Sequence, residues 1–190
     1  MSYYKKIEYE IIPKEAFQIA RNCSGCGEKM AYQSTGNFRV NANGNQLDVW
    51  LIYQCAKCKH TYNLSIYERV KPTELEQQEY QLFLENNSDA ALEYGLNREL
   101  FKRNKAELLW EDISYDIKEM SEEMLEEEKE EIEQVFLLHN SYGLKLRADR
   151  LAAQLLQASR SQVKKMIKDE TLFIQQESGG KIIKIKKVSC

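Results

Sequence analysis

Four cysteines fall in two pairs, Cys23-Ser24-Gly25-Cys26 and Cys55-Ala56-Lys57-Cys58, separated by 28 residues. A two-residue gap lets both sulfurs of a pair turn toward one point, and four cysteinates around one point are the ligand set of a tetrahedral metal. Cys23, Cys26, Cys55 and Cys58 are therefore expected to hold a structural Zn2+. A centre closed by four sulfurs keeps no open position for a reacting group, so the chemistry is binding and not turnover. Iron takes the same four ligands and stays open as the alternative ion. Two disulfides fit poorly with a chain that shows no export signal. A thioredoxin-like redox site needs its C-x-x-C at a strand-to-helix junction, and neither pair sits at one. Gly25 and Gly27 are expected to supply the positive φ of a tight knuckle. His60 reads as a surface residue and Cys190 as a free thiol.

The second group of candidate residues is basic. Ser159-Arg160-Ser161-Gln162 has the S-x-x-Q pattern of a capping box and predicts a helix start. Beyond it, Val163, Met166 and Ile167 follow the i, i+3, i+4 rule and should face a core. Arg160, Lys164 and Lys168 recur at i, i+4, i+8 on the other face, with Lys165 beside them. The net charge of −3 conceals this concentration. Residues 1–70 carry 9 basic and 6 acidic side chains, residues 71–142 carry 7 and 20, and residues 143–190 carry 11 and 4. Three cations on one helical face can displace counterions from phosphates, and arginine adds bidentate geometry. The partner expected is structured RNA, read by its backbone, since the segment shows no aromatic platform for single strands.

These residues need elements to position them. Ile7, Tyr9 and Ile11 alternate with charged residues, a period-two strand. Phe38–Ala42 runs into Asn43-Gly44, a hairpin signal that asks for positive φ at both residues. The return strand, 46–54, leads into Cys55, and its unbroken apolar run Val49–Tyr53 predicts burial on both faces by a further layer. Thr61–Ile66 follows the second knuckle as another strand. Pro72-Thr73, Ser88 or Asp89, and Asn97 are read as the starts of three helices, the last running through Leu109. Ile113, Tyr115 and Ile117 alternate as a strand. Residues 121–134 hold Glu122, Glu123, Glu126, Glu127, Glu128, Glu130, Glu131 and Glu133, and are expected to be a solvated helix or a linker. A helix over about 149–156, the capped helix after Ser159, and two β-rich runs around Gly179-Gly180 complete the chain. The expected fold is α+β: an N-terminal antiparallel zinc-ribbon-like sheet (1–70), a helical acidic middle (71–142) and a C-terminal helix-helix-hairpin module (143–190).

Arg147-Ala148-Asp149-Arg150-Leu151, the leucine-rich helix that follows and Ser159-Arg160 resemble the RNA-binding domain first seen in ribosomal small-subunit protein four, the S-four-type domain. Ala148 stands where that family has leucine, and Gln176–Gly180 replaces its usual turn. The resemblance covers about a quarter of the chain. It implies an RNA surface made of Arg147, Arg150, Arg160, Lys164 and Lys165, which Lys168 joins by its spacing on the same helical face. Over nearly its full length the chain also resembles an uncharacterised bacterial family, the one catalogued as domain of unknown function 1062. The residues responsible are Arg21-Asn22-Cys23, Ser34 through Gly44, Asp48 through Tyr53, the second knuckle and Leu144 through Arg147. That resemblance implies no activity.

The function expected is a non-enzymatic, zinc-containing RNA-binding protein, associated with the ribosome or with other structured RNA. The alternatives are an interaction or scaffold protein with purely structural zinc, and a helix-turn-helix DNA binder. The chain has 2 histidines, His60 and His139, with no nucleophile elbow and no phosphate loop, so neither an enzyme nor a small-molecule substrate is expected. His139 is read as structural. No apolar run approaches the roughly 18–20 residues that span a bilayer, and no signal-peptide core is present, so a soluble, cytoplasmic protein without membrane partners is expected.

Overall fold

A computed structural model describes residues 2–109, 113–127, 133–177 and 180–188. In chain order the strands and helices are β1 (Ser2–Pro13), β2 (Gln18–Cys23), β3 (Glu28–Asn43), β4 (Gln46–Cys55), β5 (Thr61–Val70), α1 (Gln77–Leu84), α2 (Ser88–Leu96), α3 (Arg98–Arg103), β6 (Glu107–Leu109), β7 (Tyr115–Glu127), β8 (Glu133–His139), α4 (Ala148–Leu155), α5 (Arg160–Lys168), β9 (Leu172–Gln176) and β10 (Ile182–Val188). The chain divides into two compact units, residues 15–113 and residues 1–14 with 114–190. Each unit is built on one five-stranded sheet.

In the unit of residues 15–113 the strand order is β5-β4-β3-β2-β6, antiparallel throughout. Strand β4 alternates strictly: Leu47, Val49, Leu51, Tyr53 and Cys55 are buried, while Asp48, Trp50, Ile52 and Gln54 are half-buried. The apolar run Val49–Tyr53 thus has one fully covered face and not two, because Trp50 and Ile52 fall on the other parity of the pleat. The covering layer is α1, α2 and α3, which pack on β3, β4 and β5. Phe38 and Phe83 meet edge to face at 4.9 Å, and Phe17 and Phe101 at 5.9 Å. The buried Tyr53 hydroxyl donates to the Phe17 carbonyl at 3.0 Å.

Local signals explain the helix starts. The Asn87 side chain accepts from the Ala90 amide at 2.9 Å, and Asn97 from Leu100 at 3.1 Å, each meeting one orphan donor of a first helical turn. Asn87 caps α2, one residue before the expected Ser88 or Asp89. The third helix stops at Arg103, well short of Leu109, and residues 107–109 pair with β2 as an edge strand. The β3–β4 turn also differs from expectation. Its loop is Gly44-Asn45, closed by the pair Asn43–Gln46, and only Gly44 has positive φ (62°), as a glycine-first II′ turn requires.

The other unit has the order β7-β1-β8-β10-β9, with β1 and β8 parallel and the remaining neighbours antiparallel. Ile11, Leu138, Leu151, Ala152, Val163, Leu172, Ile183 and Ile185 are buried. Helices α4 and α5 pack on each other, and α5 packs on β9. Buried Asn140 organises the entry to α4. Its side-chain amide donates to the carbonyls of Leu144 and Gly180, both at 2.9 Å, and its oxygen accepts from the Leu144 amide at 2.9 Å.

The α+β layout with a helical acidic middle and a C-terminal helix-helix-hairpin module is overturned by this architecture: the chain is mostly β, with ten strands in two sheets among the described residues. Residues 115–127 and 133–139 of the acidic stretch are strands, and residues 128–132 lie outside the described residues. Glutamate favours helices locally, but this stretch carries no helical apolar stripe wide enough to bury. Pairing with β1 wins, placing Glu123 opposite Lys6. The run Val135-Phe136-Leu137-Leu138 is that of an inner strand, between β1 and β10. The C-terminal β-runs do not form a self-standing hairpin. β10 continues onto β8, so β9 and β10 close the edge of a larger sheet. Cys190 and Gly179 lie outside the described residues.

Candidate functional site

The four cysteines meet at one end of the sheet in the unit of residues 15–113. Cys23 ends β2 and Cys55 ends β4. Strand β3 lies between β2 and β4, and Tyr32 on it pairs with both Ile19 and Cys55. The two knuckles are thereby brought side by side by the sheet register. Each knuckle has the same backbone. The Gly27 amide donates to the Cys23 carbonyl at 2.8 Å, and the Lys59 amide to the Cys55 carbonyl at 3.0 Å. Both donors have positive φ, 73° at Gly27 and 62° at Lys59. The residue after the second cysteine of each knuckle is therefore left-handed, at low cost for glycine and at some strain for lysine. Gly25 is not among the positive-φ residues, and it matters for room: a Cβ there would sit 3.0 Å from the Cys58 Sγ.

The sulfurs converge as a ligand set. Cys23 and Cys58 Sγ are 3.4 Å apart, Cys26 and Cys55 Sγ 3.8 Å, and all four lie within 4.8 Å of one another. A disulfide needs about 2.05 Å, and these cysteines are free thiols. Tetrahedral ligands at a metal–sulfur distance of about 2.3 Å stand about 3.8 Å apart, so the spacing fits a metal ion held by four cysteinates. Cys23 and Cys55 are buried, Cys26 is intermediate and Cys58 is exposed.

The surroundings divide the four thiols. A hydrogen bond from the Tyr32 phenol is the main cause that pulls the Cys23 thiol down to about 6. The backbone N–H of Cys58 leads the causes that lower Cys55. Cys26 is pushed up to about 12, first by its hydrogen bond with Cys58 and then by burial. Thiolate is thus favoured at Cys23 and Cys55 and opposed at Cys26 and Cys58, the behaviour of acids that share a site without a cation. Beside them the Arg21 guanidinium lies 3.4 Å over the Tyr62 ring and 5.8 Å from that of Tyr32. Tyr32 carries no spacing signal in the sequence; only the register of β3 against β2 and β4 brings it to the sulfurs. His60 is exposed, and its Nε2 is 2.9 Å from the Ser24 Oγ, a link between the two knuckles.

The basic residues occupy α4, α5 and the segment before them. The Ser159 capping box forms as expected: the Gln162 amide donates to Ser159 Oγ at 3.2 Å, and the Ser159 amide to Gln162 Oε1 at 2.7 Å. Val163 is fully buried, whereas Ile167 is 42% exposed and does not join the core. It lies at the last turn, one residue before the helix ends. Arg150, Arg160, Lys164, Lys165 and Lys168 are exposed. Arg147 is exposed as well, but its guanidinium holds Asp149 in a two-point pair at 3.1 and 2.8 Å. That pair keeps the Asp149 carboxyl below its ordinary value. His139, on β8, stands 3.1 Å from the Glu8 carboxylate, which also accepts from Lys6 at 2.6 Å.

Fold and site together define a two-sheet, mostly β chain with a four-cysteine centre of metal-ligand geometry. Residues 40–178 match the family described as protein of unknown function (DUF1062), and the chain belongs to that family. No curated protein and no solved structure matches it. Among the described residues no helix is long and apolar enough to cross a membrane.

Proposed function

We propose that this chain is a non-enzymatic RNA-binding protein, stabilised by structural zinc, that takes structured RNA by its phosphate backbone through the outer face of α5. The observation that carries the reading is the division of α5 between a buried Val163 and an exposed basic row, Arg160, Lys164 and Lys168, extended by Lys165 and by Arg150 of α4. Cations one helical turn apart, about 6 Å, can each meet a phosphate and release a counterion. The S-four-type resemblance of residues 147–167 supports the same partner, ribosomal or otherwise. The four-cysteine centre is assigned zinc and a structural role, since four sulfurs close its coordination. Reduced thiols of this kind suit the cytoplasm.

Filter binding of a stem-loop RNA at low salt tests the reading. The full chain should retain the RNA. The triple variant Arg160→Glu, Lys164→Glu, Lys168→Glu should lose about a hundredfold or more in affinity. No retention by the unaltered chain, or no loss on reversal, would overturn it.

A further inference from the structure

The alternation of β9 and β10 leaves one aromatic ring in solvent. Leu172 is buried and Phe173, the next residue, is 44% exposed, although a solvent-side strand position is ordinarily filled by a polar residue. The register sets Phe173 directly opposite Lys186, and Gln175 opposite Lys184. Residues at i and i+2 of a strand share a face, so these four side chains stand together. They line one concavity of about 360 Å³. The two buried residues of β10, Ile183 and Ile185, fall on the opposite parity and leave this face free of the core.

An exposed aromatic face, two ammonium groups and one amide match the parts of a nucleotide that is not base-paired. A base has a π-face for the ring, an edge for an amide and phosphates on either side for cations. The charge of the segment agrees: residues 143–190 carry 11 basic against 4 acidic side chains. We propose that this face binds an unpaired nucleotide of RNA, with the base stacked on Phe173, Gln175 at the base edge, and Lys184 and Lys186 at the flanking phosphates. The proposal rests on the RNA-binding reading and adds a second contact to it, for a single-stranded stretch of the RNA held by α5. The chain segment offers an aromatic platform after all. In the sequence Phe173 is visible only as part of the β-rich run Leu172-Phe173-Ile174.

The test uses the full chain with two RNAs: a blunt-ended duplex with no unpaired nucleotide, and the same duplex with a short single-stranded tail that carries 2-aminopurine. The tailed RNA should bind about tenfold more tightly and its fluorescence should be quenched, as one base–aromatic stack implies. Phe173→Leu should remove both effects and leave the blunt RNA unaffected, and Phe173→Trp should restore them. Lys164→Glu should weaken both RNAs alike. Equal affinity of Phe173→Leu and the unaltered chain for the tailed RNA, with quenching intact, overturns the Phe173 contact alone. Tailed and blunt RNAs bound equally well by the unaltered chain do the same. Failure of both RNAs to bind overturns the α5 reading and this one with it.

Discussion

Substitution of Gly95 by alanine is expected to destabilise the unit that carries the cysteines, against the ordinary helix preference. A Cβ at position 95 would stand 2.3 Å from the Ala16 Cβ and 3.3 Å from its Cα. Carbon atoms pack at about 3.5–4.0 Å, so α2 and the chain at Ala16 must separate by more than 1 Å. Neither side gives easily. The Phe17 amide donates to the Gly95 carbonyl at 2.8 Å, and Phe17 is fully buried with its carbonyl taken by Tyr53. Overpacking costs about 1–3 kcal/mol, and the strained hydrogen bond adds about 1 kcal/mol. Replacing a helical glycine returns about 1 kcal/mol. The net expectation is a loss of about 1–3 kcal/mol, read as a lower urea midpoint with unchanged slope. Pairing the change with Ala16→Gly should recover most of it, because the clash partner is gone. Gly95→Ala as stable as the parent, or more stable, would refute the close-approach argument.

Cys55→Ser should lower bound metal from about one ion per chain to near none and destabilise the same unit, checked by elemental analysis and thermal unfolding. A metal-free but equally stable parent would contradict it. Zinc loading at neutral pH should release fewer than four protons, since Cys23, held down to about 6 by the Tyr32 phenol, is already largely thiolate. Calorimetry in buffers of different ionisation enthalpy counts them. In the metal-free protein, the stability that the Tyr32 bond lends Cys23 is fully present above the ordinary thiol value of about 8.5. It is lost as the pH falls through about 6. Tyr32→Phe should raise the pH at which an added thiol reagent slows. Asn140→Ala strips partners from the Leu144 amide and from the carbonyls of Leu144 and Gly180. It should cost about 2 kcal/mol in urea unfolding, because the buried Leu144 amide, left unpaired, carries its desolvation cost.

What could be read in the chain was local. The two C-x-x-C pairs announce the metal-ligand cluster because their geometry is encoded within four residues each. Ser159-x-x-Gln162 announces the start of α5 for the same reason. What could not be read was pairing at long range. Residues 115–127 become a strand because β1, over a hundred residues earlier in the chain, offers an edge for antiparallel pairing. Glutamate content, a local property, pointed to helix. The run Val49–Tyr53 suggested two covered faces, since an apolar run alone does not say how well the second is covered. Tyr32 reaches the sulfurs only through the register of β3 with its neighbours. Asn140 is visible only by the groups it satisfies, which are 4 and 40 residues away.

The salt dependence of stem-loop RNA binding measures most directly whether α5 engages phosphates. Four cations, Arg150, Arg160, Lys164 and Lys168, that each displace counterions from one phosphate predict a slope of log affinity against log salt of about −3. Reversing Lys164 and Lys168 should flatten that slope by about half. Absence of binding at about 50 mM salt, or a slope near zero that the reversals do not change, contradicts the account.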